Sequence, residues 1–210
     1  MPPVGHQPWE KLIMHINMKS DISKATAKLR GVQKKQIPFA VAKALSDTAW
    51  DVAKEESKQM PAKLDRPTPF SVKAFWVIRA TKQKLVATVF IKPIQAAYLK
   101  FQVDGGTRRP KGKAMPVPGD VRLNQYGNMS KGKIKALLSD PRNFSGVIHG
   151  NGGIWQRQKN GGVKLLVAWE KTAQYERDRF PFYKIAIGKA KAVIGSNLRR
   201  AIDSAMRSAK

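Results

Sequence analysis

The sequence predicts an α+β fold: a long N-terminal helix, either kinked or divided into two in series, a central antiparallel β-sheet or sandwich carrying an extended basic loop, and a long C-terminal helix. Three observations carry this. Apolar residues recur at three- and four-residue spacing before Met60, β-branched and aromatic runs separated by Gly-rich turns fill the middle, and the helical rhythm returns after Pro181.

Taken in order, Met1–Lys19 mixes Pro2, Pro3, Pro8 and Trp9 with the apolar stretch Leu12-Ile13-Met14. It reads as an extended arm outside the core, with Trp9, Leu12 and Ile13 as its docking residues. From Ser20 to Gln36, Ile22, Ala25, Leu29 and Val32 mark one face of a helix that Ser20 or Asp21 can cap. Pro38 then fits the first turn of a new segment, in which Val41, Ala42, Leu45, Thr48, Ala49 and Val52 keep the rhythm to about Met60. Pro61, Pro67 and Pro69 close the helical region.

Val72 to Ile78 and Leu85 to Ile91 are strand-like, and the polar Thr81–Lys84 connection between them predicts a hairpin. Ile94–Val103 fits a short helix or another strand. Residues 105–135 form a loop rich in glycine and proline, with eight basic residues against Asp120 alone. Arg108, Arg109, Lys111, Lys113, Lys131 and Lys133 are its DNA- or partner-facing candidates. Ile134, Leu137 and Leu138 suggest a short helix. Strands follow at Gly146–His149, Ile154–Arg157 and Val163–Trp169, joined through Gly150-Asn151-Gly152-Gly153 and Asn160-Gly161-Gly162, whose glycines accept positive φ. Ile185, Ile187, Ala190, Val193, Ile194, Leu198, Ile202 and Met206 line one side of the last helix, opposite a basic face that includes Arg199 and Arg200. Residues 20–210 read as a single domain.

Composition narrows the function. Forty Lys+Arg against 14 Asp+Glu give a formal net charge of +26, which favours an anionic partner: nucleic acid, or acidic faces within a large assembly. With no cysteine, disulfides, thiolate nucleophiles and cysteine metal sites are excluded, and His6, His15 and His149 lack metal spacing. No cofactor is expected. The apolar runs fall far short of the roughly 20 residues that cross a bilayer, and the first residues do not resemble a signal peptide. The expectation is a soluble protein of a reducing compartment, with no membrane association.

No catalytic constellation rises above background, so no enzyme is predicted. Glu55-Glu56 beside Lys54 and Lys58 reads as a solvated helix face, and Glu176 and Asp178 as local balance for Arg177 and Arg179. His149 beside a glycine reads as a turn or packing residue. Tyr98, Phe101, Tyr126, Phe144 and Trp155, interleaved with basic residues, could form a stacking groove, although core packing explains Phe101 and Trp155 more simply. With no reading motif in view, contact with nucleic acid would be made to phosphates, without sequence preference.

Three short motifs carry a resemblance. They are Ala40-Val41-Ala42-Lys43-Ala44-Leu45-Ser46-Asp47-Thr48-Ala49, the Tyr-x-x-Phe-x-x-x-Gly-Gly-Thr segment from Tyr98 to Thr107, and Phe180-Pro181-Phe182 opening the last helix. In this order the chain resembles the tail-completion and neck proteins of tailed bacteriophages, the group containing the minor tail protein Z type and its smaller neck-component relatives. The resemblance spans roughly residues 20–210; Gly105-Gly106 carries one glycine beyond the family's pattern, and the arm has no counterpart in it. It implies a non-enzymatic virion protein of α+β fold, assembled in the host cytoplasm as a homo-oligomeric ring at the head–tail junction or tail top. Its partners would be a portal or adaptor ring, tail tube, and terminator or nozzle proteins, with packaged DNA close by. The alternative is a free, non-specific nucleic-acid-binding protein.

Overall fold

The computed structural model describes residues 12–17 and 32–208. Trp9, most of the expected arm and the expected Ser20–Gln36 helix as far as Gly31 lie outside them. The fold is α+β, with a long helix first, antiparallel sheets in the middle and a long helix last. Two compact units replace the single domain expected from the sequence. One joins the described residues through Val103 to those from Asp178 onward, and Asp104–Arg177 form the other. The physical reason lies in the cores: the apolar cluster of Ile154, Leu166 and Val167 is separate from those of the first unit, and Asp178 and Phe180 return to the first unit by donating backbone N–H bonds to Val103 and Gln102 at 3.0 and 2.8 Å.

In the first unit, helix α1 (Val32–Lys63) runs through Pro38 and Pro61 without dividing, so neither proline ends it. Its alanines explain what it packs on. Ala40 and Ala44 meet Ala201 and Ala205 of α5 (Phe182–Ser208), where small side chains let two helix backbones approach closely. Further along, Thr48 and Asp51 meet Asn197, and Glu55 meets Lys189, so the helices run antiparallel. The core face of α5 is centred on Phe182, Ala186, Asn197 and Ala201. Ile187, expected on that face, is exposed.

Strands β1 (Ile13–Asn17), β2 (Phe75–Ile78) and β3 (Val86–Ile91) form an antiparallel sheet in the order β1-β3-β2. The period of two turns Phe75, Val77, Ala87, Val89, Ile91 and Ile16 into the core with Leu45, Val52 and Met60 of α1. This corrects the arm. Leu12 is fully buried in the chain's own core, its carbonyl accepts the Ile91 N–H at 3.3 Å, and Ile13 pairs with Phe90. An apolar stretch at strand spacing found its partner inside the fold, which leaves Leu12 no surface on which to dock another protein. Val72, expected at a strand start, instead ends the short helix α2 (Pro69–Val72), where Thr68 Oγ1 accepts the Ser71 N–H at 3.2 Å and Pro69 supplies the pre-set first turn. Ile94–Val103 resolves as helix, within α3 (Pro93–Val103).

The second unit replaces the expected 105–135 loop with short elements. Strand β4 (Gly106–Arg108) pairs with β9 (Ala173–Tyr175), and β5 (Met115–Pro118) edges a four-stranded sheet in the order β5-β8-β7-β6. The other strands are β6 (Asn143–Ile148), β7 (Asn151–Arg157) and β8 (Val163–Glu170), and helix α4 (Lys133–Leu138) precedes β6. Pro116 and Pro118 are tolerated in β5 because an edge strand can dispense with ladder donors. Ile154, Leu166 and Val167 make a small core under Val121, Met129, Ile134 and Leu137.

The β6–β7 turn is His149-Gly150, with φ of 49° and 80° and Ile148 paired to Asn151, a two-residue hairpin of the primed type. The expected turn glycines Gly152 and Gly153 therefore lie within β7. A Cβ on Gly153 would stand 2.4 Å from the Val167 carbonyl oxygen, so close strand approach, and not turn geometry, requires glycine there. Past that point the register shifts: Ile154 opposes Val167 while Trp155 opposes Leu165. The extra residue, Leu166, is why two successive β8 side chains are buried.

Candidate basic interface

Register is what assembles the basic candidates. The ladder places Arg108 opposite Ala173 and Met115 opposite Glu170. The chain from Arg108 to Lys113 therefore runs beside the β8–β9 connection, which carries Lys171. Arg108, Arg109, Lys111 and Lys113 are all exposed, within six residues. Close to the start of this ribbon, Gly105 has φ +71°, and a Cβ there would stand 2.8 Å from the Arg177 amide nitrogen. A glycine at this position thus permits the ribbon to close.

An open groove of about 850 Å³ begins at Lys113 and Lys171 and runs along Val147, Gly152, Leu165 and Trp169. The Trp169 indole N–H donates to Ser145 Oγ at 3.4 Å. A basic rim, an indole and glycines that leave backbone uncovered suit a phosphate-bearing strand or an acidic polypeptide edge. Glu170 is the acid among the lining residues. Sequence reasoning missed Lys171 and Trp169 as part of this surface, since only the strand register brings them to Lys113.

The other candidates lie elsewhere. Lys131 is exposed in the turn before α4, and Lys133, its first residue, is half-buried. Arg199 is exposed on α5 in the first unit. Arg200 is committed to the fold: its guanidinium donates to the Asn197 side-chain oxygen, while the Asn197 amide donates to Thr48 Oγ1 at 3.1 Å and Asp51 Oδ2 at 2.9 Å. A buried amide with both ends bonded sets the register of the helix pair. The aromatics are divided between the two units. Tyr98 and Phe101 belong to the first unit, and Tyr126, Phe144 and Trp155 to the second. Tyr98 Oη lies 2.9 Å from Ser71 Oγ, Trp155 is buried, and the Arg157 guanidinium sits 4.5 Å from the Phe144 ring centre.

Two carboxyl environments depart from the ordinary. Asp140 is held down at about 2 by hydrogen bonds from the Arg142 side chain and backbone. Glu56 does the reverse of what a solvated face implies. It is fully buried, neither carboxyl oxygen has a hydrogen-bond partner, and burial, reinforced by the Glu55 charge, pushes it up to about 9. Glu55 is lowered by a hydrogen bond from Gln59 and by Lys189, which stands 3.7 Å away.

Among the described residues no three His, Asp or Glu side chains gather as metal ligands, and no helix is long and apolar enough to cross a membrane. No protein-family model, no curated protein and no solved structure matches the chain.

Proposed function

We propose that the chain is a structural component of a tailed-bacteriophage particle, a ring subunit at the head–tail junction that links portal-side and tail-side proteins close to packaged DNA. The observation that carries this reading is the basic ribbon Arg108–Lys113, its ends fixed by the pairing of Arg108 with Ala173 and of Met115 with Glu170 and its cations exposed. Such a surface suits a protein that meets DNA phosphates or an acidic ring face at fixed geometry. The order of elements supports it as well: a long Ala-rich helix, sheets, and a last helix opened by Phe180-Pro181-Phe182 follow the order that the resemblance implies.

A free nucleic-acid-binding protein is the second reading, favoured by the groove that joins Lys113 and Lys171 to the Trp169 indole. Titrating duplex DNA of unrelated sequences at several salt concentrations tests the shared contact. Affinity should fall steeply with salt alike for every sequence, and replacing Arg108 and Arg109 by glutamine should lower the log–log slope by about 0.9 for each phosphate that the variant no longer neutralises. A slope unchanged by both substitutions removes the ribbon from the DNA contact. Tight binding by the isolated chain favours the second reading, whereas weak binding with strong association to a partner ring favours the first.

A further inference from the structure

Between Asp65 and Asp104 the sequence has no acidic residue and seven basic ones, Arg66, Lys73, Arg79, Lys82, Lys84, Lys92 and Lys100. This stretch builds α2, β2, β3 and α3, and it displays Phe70, Trp76, Ile78 and Ile94, with exposures from 48% for Trp76 to 72% for Ile94. Trp76 and Ile78 share the outer face of β2, since Phe75 and Val77 take the core side. The Trp76 ring meets Trp50 of α1 edge-on at 5.3 Å, and Lys92 Nζ sits 5.0 Å from its centre. Lys92 also donates to the Lys73 carbonyl at 2.9 Å, and the Gln95 side chain donates to the Phe70 carbonyl at 3.2 Å. These bonds tie the strand face to the α2–α3 corner. Trp50 also lines an open groove of about 580 Å³ between Phe39, Lys43 and Asp47 of α1 and the turn residues Arg79 and Lys82, in which Lys43 Nζ is already paired with Asp47 at 2.8 Å.

An apolar surface of this extent calls for a cover, and charge decides its chemistry. A second copy meeting this face with its own would set Arg79, Lys82 and Lys92 against the same cations. The chain's own residues 18–31 carry four basic residues and one acid, the wrong sign for the site. Nucleic acid would suit the cations and Trp76 but gains little from Ile78, Ile94 and Phe70. We propose that this face docks an acidic polypeptide segment of a partner protein, its apolar side chains seated in the groove and over Trp76 and Ile78, its carboxylates meeting Arg79, Lys82 and Lys92. This is the Lys/Arg-rimmed, aromatic-centred composition of a protein-binding surface. The residues differ from those of the Arg108–Lys113 ribbon, so the proposal stands or falls separately from DNA contact.

The test uses the full chain and a synthetic dye-labelled peptide of alternating glutamate with leucine and phenylalanine. Its glutamine counterpart and a labelled DNA strand serve as comparisons. The peptide should bind in physiological salt, the glutamine version about tenfold more weakly. Ile78→Ser and Lys82→Glu, both at exposed positions, should each weaken the peptide about tenfold while leaving DNA binding and the unfolding curve unchanged. Equal binding of the two peptides, or peptide affinity unmoved by either variant, overturns the proposal. So does a matching loss of DNA affinity, which would make nucleic acid the occupant, and so does self-association in the ultracentrifuge that Ile78→Ser abolishes. Quenching of Trp76 fluorescence by the acidic peptide, absent in Trp76→Phe, gives a second reading that does not depend on affinity.

Discussion

Glu56→Gln should stabilise the protein at neutral pH and flatten its stability–pH profile. Glu56 lies one helical turn from both Val52 and Met60, all three fully buried, and its carboxyl oxygens find no partner. In the unfolded chain this carboxyl ionises near 4.5, whereas in the folded chain it holds its proton up to about 9. Between those values the folded state binds a proton that the unfolded state has released, so stability falls as pH rises through the window and levels off above it. At pH 7 the accumulated loss is on the order of 3 kcal/mol, a large share of a typical domain's stability. Glutamine has nearly the same shape and does not titrate, so the variant should match the wild type near pH 4 and exceed it at pH 7 and above. The lowered carboxyls Glu55 and Asp140 titrate below this window and leave it undisturbed. Urea unfolding across the range decides the matter. Parallel profiles for the two proteins would show that Glu56 is solvated or paired in solution.

Phe182→Ala should cost about 3–5 kcal/mol, the range for deleting a buried aromatic ring. Phe182 is fully buried and stacks on Phe75 of β2 with ring centres 6.0 Å apart and planes 7° from parallel, while Tyr183 meets it edge-on at 5.1 Å. Phe180, also fully buried, lies 5.9 Å from the same Phe75 ring. The Phe180-Pro181-Phe182 motif therefore fastens the start of α5 to the sheet, while the alanine seam secures its far end. A denaturation midpoint little changed by the substitution would mean that the helix is held by that seam and the Asn197 network alone.

What the sequence displays openly is period. Val77, Val89 and Ile91 alternate as strands, and Ala190, Ile194 and Leu198, all packed against the first unit's core, recur as a helix, because side-chain burial imposes a countable spacing. Pairing between distant segments leaves no such trace. Leu12 and Ile13 look like an arm because their partners, Ile91 and Phe90, lie far along the chain. Lys171 joins the basic ribbon only through the pairing of Arg108 with Ala173 and of Met115 with Glu170. Glu56 reads as surface because a carboxylate among lysines ordinarily is, and its helical neighbours Val52 and Met60 are the residues that point inward. Gly153 reads as a turn because the same residue type serves both positive φ and close strand approach.

The proposed placement of this chain in a virion is tested most directly in purified tailed particles from the source of the sequence, by mass spectrometry of their proteins and by electron microscopy with an antibody to the chain. A fixed, ring-sized copy number with label confined to the head–tail junction is expected, as are unjoined heads and tails when the gene is disrupted. Particles that lack the chain, or that assemble and join normally without it, would contradict it.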